Sequence, residues 1–281
     1  MIPIGSFAKT FERPTVAGVL EAVRLHGMRC TQFNLVCAGL ASLPDDIDPA
    51  VSRQIGTAAR QAGVQITAVS GTYNMIHPDR QEREAGLRRL RVLAEACEDL
   101  GTQVITLCTG TRNPDHMWRW HPNNETGEAW DDLLHAMEAA LRIAEENQVV
   151  LAFEPEQANV VHSAARGLAL IQAMQSPHLK VIIDAANLIT PGEDQKRVLA
   201  QAFELLEEHI IIAHAKDRSA DGGFLAAGQG IVDYDAYLCQ LQTHTKGVPL
   251  ILHGLTEQQV DASLAFLRNK FTALGFDDAD F

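Results

Sequence analysis

Short apolar runs alternate along this chain with longer amphipathic stretches, and that alternation sets the expected fold. Strands are expected over 2–6, 30–35 (CTQFNL), 64–71 (VQITAVSG), 102–111 (TQVITLCTGT), 149–154 (VVLAFE), 179–184 (LKVIID), 209–217 (HIIIAHAKD) and 248–254 (VPLILHG). Between them, apolar positions at helical spacing predict helices from Pro14 to near Gly27 and over about 49–62, 79–100, 128–146, 163–175, 194–208, 235–244 and 257–273. Strand and helix keep alternating with no break in composition, which predicts one α/β domain over 1–281, a single (β/α)8 TIM barrel. A doubly wound open sheet is the alternative. The first strand–helix turn carries no GxGxxG fingerprint, which counts against it.

A barrel predicts where chemistry sits, because active-site groups come from the carboxyl ends of the strands and the loops after them. The segment His209–Arg218, HIIIAHAKDR, illustrates this: four apolar residues run into a histidine, a lysine, an aspartate and an arginine. Period two puts His214 and Lys216 on one side of that strand. Two earlier strands end in the same way, VVLAFE on Glu154 and LKVIID on Asp184. Two carboxylates and an imidazole at one level of a barrel form a mixed oxygen and nitrogen donor set. Such a set suits one divalent ion, Mn, Mg, Co or Zn, and clustering carboxylates without a cation is costly. An acid at a strand end, taken alone, is more often a helix cap or a loop hydrogen-bond acceptor.

Charge narrows the partners. With 23 Lys and Arg against 36 Asp and Glu, the formal net charge is −13, and no basic run compensates it, so nucleic acid is not an expected partner. The five cysteines, at 30, 37, 97, 108 and 239, form no CxxC pair and read as reduced thiols of a cytoplasmic protein. MIPIGSFAKTFERP has no apolar signal-like core, and no stretch approaches the ~20 apolar residues of a membrane span.

On FEPE with Glu154, IIDAAN with Asp184, HAKD with His214 and the GQG turn at 228–230 before IVDY, the chain resembles the xylose-isomerase-like barrel superfamily. Its relatives include ketose 3-epimerases, hydroxypyruvate isomerase, inosose dehydratase and endonuclease IV. The resemblance implies that Glu154, Asp184 and His214 bind metal and that the substrate is a small sugar, a sugar phosphate or a related hydroxy-carbonyl compound. It implies isomerisation or epimerisation through an enediolate-type proton transfer, with Glu154 as a possible proton carrier as well as a ligand. A homo-oligomer is an open expectation. Two positions depart from the epimerases. Where they carry a glutamate at the end of the eighth strand, PLILHG puts His253, a fourth ligand, a proton shuttle or a packed mouth histidine. Where they often carry a substrate-binding histidine after the aspartate, this chain has Asn187.

Further positions have two readings each. Glu156 is a second base or substrate contact, or a solvated loop acid; Lys216 and Arg218 grip substrate oxygens, or Arg218 pairs with Asp217 or Asp221. Thr109 stands at a strand end as a substrate contact. Trp118, with Trp120 and His121, lies on a connection long enough to close over a sugar or to meet a second subunit. His77 reads as loop packing. The glycines of GQG offer backbone N–H groups to an anion, which is the motive for a phosphorylated substrate. An inosose dehydratase-type lyase is the near alternative. An endonuclease IV-like nuclease lacks its histidines where SGTYN and CTGTR stand, and a non-catalytic sugar-binding barrel is the third reading.

Overall fold

The computed structural model describes residues 2–245 and 247–276; positions 277–281, the end of the expected domain, lie outside them. Barrel strands β1 (Ile4–Phe7), β2 (Cys30–Phe33), β3 (Gln65–Ser70), β4 (Val104–Cys108), β5 (Val150–Glu154), β6 (Leu179–Asp184) and β7 (Ile210–Arg218) run parallel in sequence order. A short strand β8 (Phe224–Ala226) follows, and β9 (Leu250–Leu252) pairs with both β7 and β1 to close the ring. Around it lie α1 (Val16–Leu25), α2 (Pro49–Ala62), α3 (Arg80–Leu100), α4 (Gly127–Glu146), α5 (Ala164–Met174), α6 (Ala185–Leu188), α7 (Gln195–Leu206), α8 (Tyr234–His244) and α9 (Glu257–Ala273). This is the expected (β/α)8 barrel.

Capping chemistry explains where helices begin. Thr15, Asp48, Asp79, Thr126, Ser163, Asp194 and Asp233 each precede a helix, and each side chain accepts a backbone N–H of its first turn. Two elements differ from expectation. The stretch after β7 is a β-hairpin: β8 pairs antiparallel with the β7 overhang, Lys216 opposite Ala226 and Arg218 opposite Phe224. Residues after β6 fold into the single turn α6 because Asp184 caps it through the Ala186 N–H at 2.9 Å.

Two apolar layers divide the strand faces. Outward side chains pack under the helices, whereas Phe7, Cys30, Ala68, Ala152, Ile182, Ile212 and Ile251 fill the barrel interior. Two residues beyond four of these inward positions stand Glu154, Asp184, His214 and His253. The alternation that packs the interior therefore delivers the polar groups to its mouth.

Candidate active site

Register sets the level of the cluster. Asp184 pairs across the sheet with His214, and His214 with Ile251, so strands β6, β7 and β9 bring Asp184, His214 and His253 together. One ligand atom from each of these residues lies within 4.8 Å of the others. Glu154 joins at one side, its Oε1 3.3 Å from His214 Nδ1.

The hydrogen bonds show which atoms are committed. His214 Nε2 is 3.0 Å from Gln32 Oε1, an atom that only accepts, while Gln32 Nε2 donates to Thr106 Oγ1 at 3.1 Å. Nε2 therefore carries a proton, and Nδ1 is the atom that faces the Glu154 carboxylate. A neutral ring sets acceptor against acceptor there, which is stable only with a proton or a cation between them. Asp184 Oδ1 is committed to α6, leaving Oδ2, whose contact with Lys216 Nζ at 3.2 Å is close but not aligned as a hydrogen bond. Asp184 Oδ2, His214 Nδ1 and His253 Nδ1 are all buried without a hydrogen-bond partner. A buried polar atom without one costs about 1–3 kcal/mol, so three on one cluster fit a site built for a cation. The donors are two carboxylate oxygens and two imidazole nitrogens, with no thiol among them.

The electrostatics follow from this crowding. Burial pushes the Glu154 carboxyl up, but His214 and Lys216 outweigh it and hold it well below the ordinary carboxylate range. Asp184 goes the other way, to about 6, because burial and the Glu154 charge exceed the help of Lys216. Burial works against the Lys216 charge, yet Asp184, Glu154 and Glu156 raise it above its ordinary value, so it stays an ammonium. His253 is lowered well below the usual histidine value by burial, His214 and Lys216; its ring stacks on Phe7 at 4.5 Å and stays neutral.

Asn187 links the parts. Its Nδ2 donates to Glu154 Oε1 at 2.6 Å, and its Oδ1 accepts from Lys216 Nζ at 2.8 Å. Above the cluster opens a cavity of about 530 Å³. Gln32, Asn34, Ser70, Thr72 and Thr106 form a polar wall, Glu154, Glu156, His214, Lys216 and His253 supply the titratable groups, and Phe7, Met117, Trp118 and Phe224 line its apolar part. Trp118 and Phe224 are about half exposed. Glu156, partly buried, is raised above its ordinary value by burial and by Glu154.

Several expected contacts are placed elsewhere. Arg218 is 8% exposed, and its Nη1 donates to the carbonyls of Ala186 and Ile189, so it clamps α6 and pairs with neither Asp217 nor Asp221. Thr109 is fully buried and accepts the Val161 N–H, pinning the loop after β5. The GQG turn takes no external anion on Gly228: that N–H donates to Asp217 Oδ2. His77 Nδ1 accepts the Asp79 N–H and its Nε2 donates to the Pro114 carbonyl, as a loop histidine. Sequence reasoning did not foresee the roles of Phe7 and Phe224. Gln32 was legible only as a polar strand end, and its partner His214 lies 182 residues away.

Fold and site together define a (β/α)8 barrel with a carboxylate–imidazole cluster at its carboxyl-end mouth. The chain belongs to the xylose isomerase-like TIM barrel family, whose model matches residues 20–270. Among solved structures it is similar to 3-keto-D-glucoside 4-epimerase from E. coli, with 17% identity, 96% of this chain and 100% of that one covered, and a TM-score of 0.73. It is also similar to a probable 3-DHS dehydratase from Bacillus anthracis (14% identity, 96% and 99% covered, TM-score 0.75) and to D-psicose 3-epimerase from Clostridium cellulolyticum H10 (14%, 97% and 99%, TM-score 0.72). No curated protein matches the chain.

Proposed function

We propose that this protein is a divalent-metal-dependent isomerase or epimerase of a small sugar, sugar phosphate or related hydroxy-carbonyl compound. The observation that carries the reading is the convergence of three buried ligand atoms without a hydrogen bond, Asp184 Oδ2, His214 Nδ1 and His253 Nδ1, beside the Glu154 carboxylate. These four residues would hold the ion. When bound, a divalent ion polarises a substrate carbonyl and acidifies the adjacent C–H. Glu154 remains ionised and is held in place by Asn187, so it serves as ligand and as base toward a carbon in the cavity. Glu156 faces the same cavity with its proton held more tightly, which suits it to return a proton to a substrate oxygen or carbon. Lys216 balances developing negative charge on substrate oxygen. Trp118 and Phe224 cover the apolar face of the substrate, and the polar wall reads its hydroxyls.

One observation favours a second reading, a lyase of the inosose dehydratase type. Both proton-carrying carboxylates, Glu154 and Glu156, come from the end of β5, and β9, which lies beyond β6 and β7 in the ring, is followed by an imidazole where a second carboxylate carrier would stand. Abstraction and hydroxyl expulsion need base and acid on one side, whereas epimerisation needs a carrier on each face. Product mass separates the two, since elimination loses water and isomerisation conserves mass.

Elemental analysis of protein purified without chelator tests the metal, comparing wild type with Asp184→Ala and His214→Ala. Stoichiometric Mn, Mg, Co or Zn lost in both variants is expected, followed by turnover of a ketose, sugar phosphate or inosose with that metal. Absence of bound metal, with no thermal stabilisation by added divalent ions, would refute the mechanism.

A further inference from the structure

Lys216 places a full positive charge, 5% exposed, among the ligand atoms themselves. Asp184 has one oxygen free for a cation, since Oδ1 is committed to the Ala186 N–H, and Lys216 Nζ stands 3.2 Å from the other. That contact is the weakest of three holds on the ammonium. Asn187 Oδ1 accepts from it at 2.8 Å, and the Phe224 ring lies beneath it, 3.9 Å from Nζ to the centroid. Release of Asp184 would thus leave the lysine anchored at two points. In the metal-free protein it offsets the buried negative charge of Glu154 and Asp184, which burial would otherwise make costly.

Resting on the metal reading above, we propose that Lys216 is a built-in counter-cation, which shares Asp184 Oδ2 when no ion is bound, yields it to an incoming divalent ion, and thereby sets the metal affinity. The site would then tolerate metal loss without unfolding and bind metal less tightly than its four ligands alone would. The charge at residue 216 works in opposite directions on the two states: it stabilises the empty site and opposes the loaded one.

The test uses the full chain with Lys216→Met and Lys216→Gln, freed of metal and titrated with Mn²⁺ by calorimetry, with melting curves recorded with and without Mn²⁺. Glutamine keeps a polar group able to bond Asn187 and guards against a packing defect particular to methionine. Both variants are expected to bind Mn²⁺ at least about tenfold more tightly than wild type, a difference of ~1.4 kcal/mol. Their metal-free forms should melt lower than wild type, and Mn²⁺ should raise their melting points further. A variant folded only with Mn²⁺ present would support the same conclusion in stronger form. If wild type binds Mn²⁺ and the folded variants bind it equally or more weakly, the inference is overturned while the metal reading stands. If none of the three chains binds Mn²⁺, Mg²⁺, Co²⁺ or Zn²⁺, both are overturned.

Discussion

Asp217→Asn probes whether the glycine turn after β7 is anchored by the chain itself. Asp217 is 1% exposed; its Oδ1 accepts the N–H groups of Arg218 at 2.8 Å and Val232 at 3.0 Å, and its Oδ2 accepts that of Gly228 at 3.0 Å. Gly230 lies so close that a Cβ there would stand 2.4 Å from Asp217 Oδ1 and 2.2 Å from the Arg218 carbonyl oxygen, so the turn cannot relax outward without losing these bonds. Asparagine preserves shape, removes the charge and presents an NH2 to one backbone donor. Hydrogen bonds to a charged acceptor contribute about 1.5–3 kcal/mol against 0.5–1.5 for neutral ones, and one stranded buried donor costs about 1–3. The relieved desolvation of the carboxylate offsets part of this, leaving a loss of about 2–4 kcal/mol. In a chain of this size that lowers the melting temperature by roughly 3–7 °C. Calorimetry of both proteins in a non-phosphate buffer measures it. A variant melting within about 1 °C of wild type would refute the account, because the Gly228 and Val232 N–H groups would then have other partners.

Further outcomes follow from the same geometry. Gln32→Leu removes the acceptor that fixes the His214 ring and should weaken Mn²⁺ binding by about 10–100-fold; titration calorimetry reads it, and an unchanged affinity would mean the ring needs no such partner. The Asp184 carboxyl, raised to about 6, takes up a proton as pH falls through that value, and a divalent ion must then displace it. Mn²⁺ affinity should therefore fall more steeply with pH below about 6 than above about 7, by about a further tenfold per unit; one unchanged slope through pH 6 would refute the role of the Asp184 proton.

What was legible in the sequence is what local periodicity encodes. Strand and helix positions followed from period two and helical spacing, and Glu154, Asp184, His214 and His253 were found because each ends or follows a buried strand. Interactions that depend on closing the ring were not legible. Gln32 and His214 sit on strands that meet only across the barrel interior, and no local pattern distinguishes a glutamine orienting a histidine from one at any strand end. Arg218 is a further case: a guanidinium beside a mouth lysine reads as a substrate contact, and its Nη1 bonds the Ala186 and Ile189 carbonyls at the turn that Asp184 caps. The glycines of GQG read as anion-binding from local sequence alone, and the anion that the Gly228 N–H meets is Asp217 of the strand the turn follows.

Strand β7 carries most of the burden of the site, and its length explains how. At nine residues it outruns β6 and β9, and an overhang of that kind would leave backbone groups without ladder partners. The hairpin strand β8 takes one edge of the overhang, from Lys216 to Arg218. From α8 behind it, the Tyr237 hydroxyl bonds the carbonyls of Ile183 and His214, and the Tyr234 hydroxyl bonds that of Lys216. Backbone satisfaction thus comes from outside the barrel, while alternation sends His214 and Lys216 inward. The same hairpin brings Phe224 under the lysine. A cation beside metal ligands is tolerable in such a setting because the fold, rather than the ligands, holds it there.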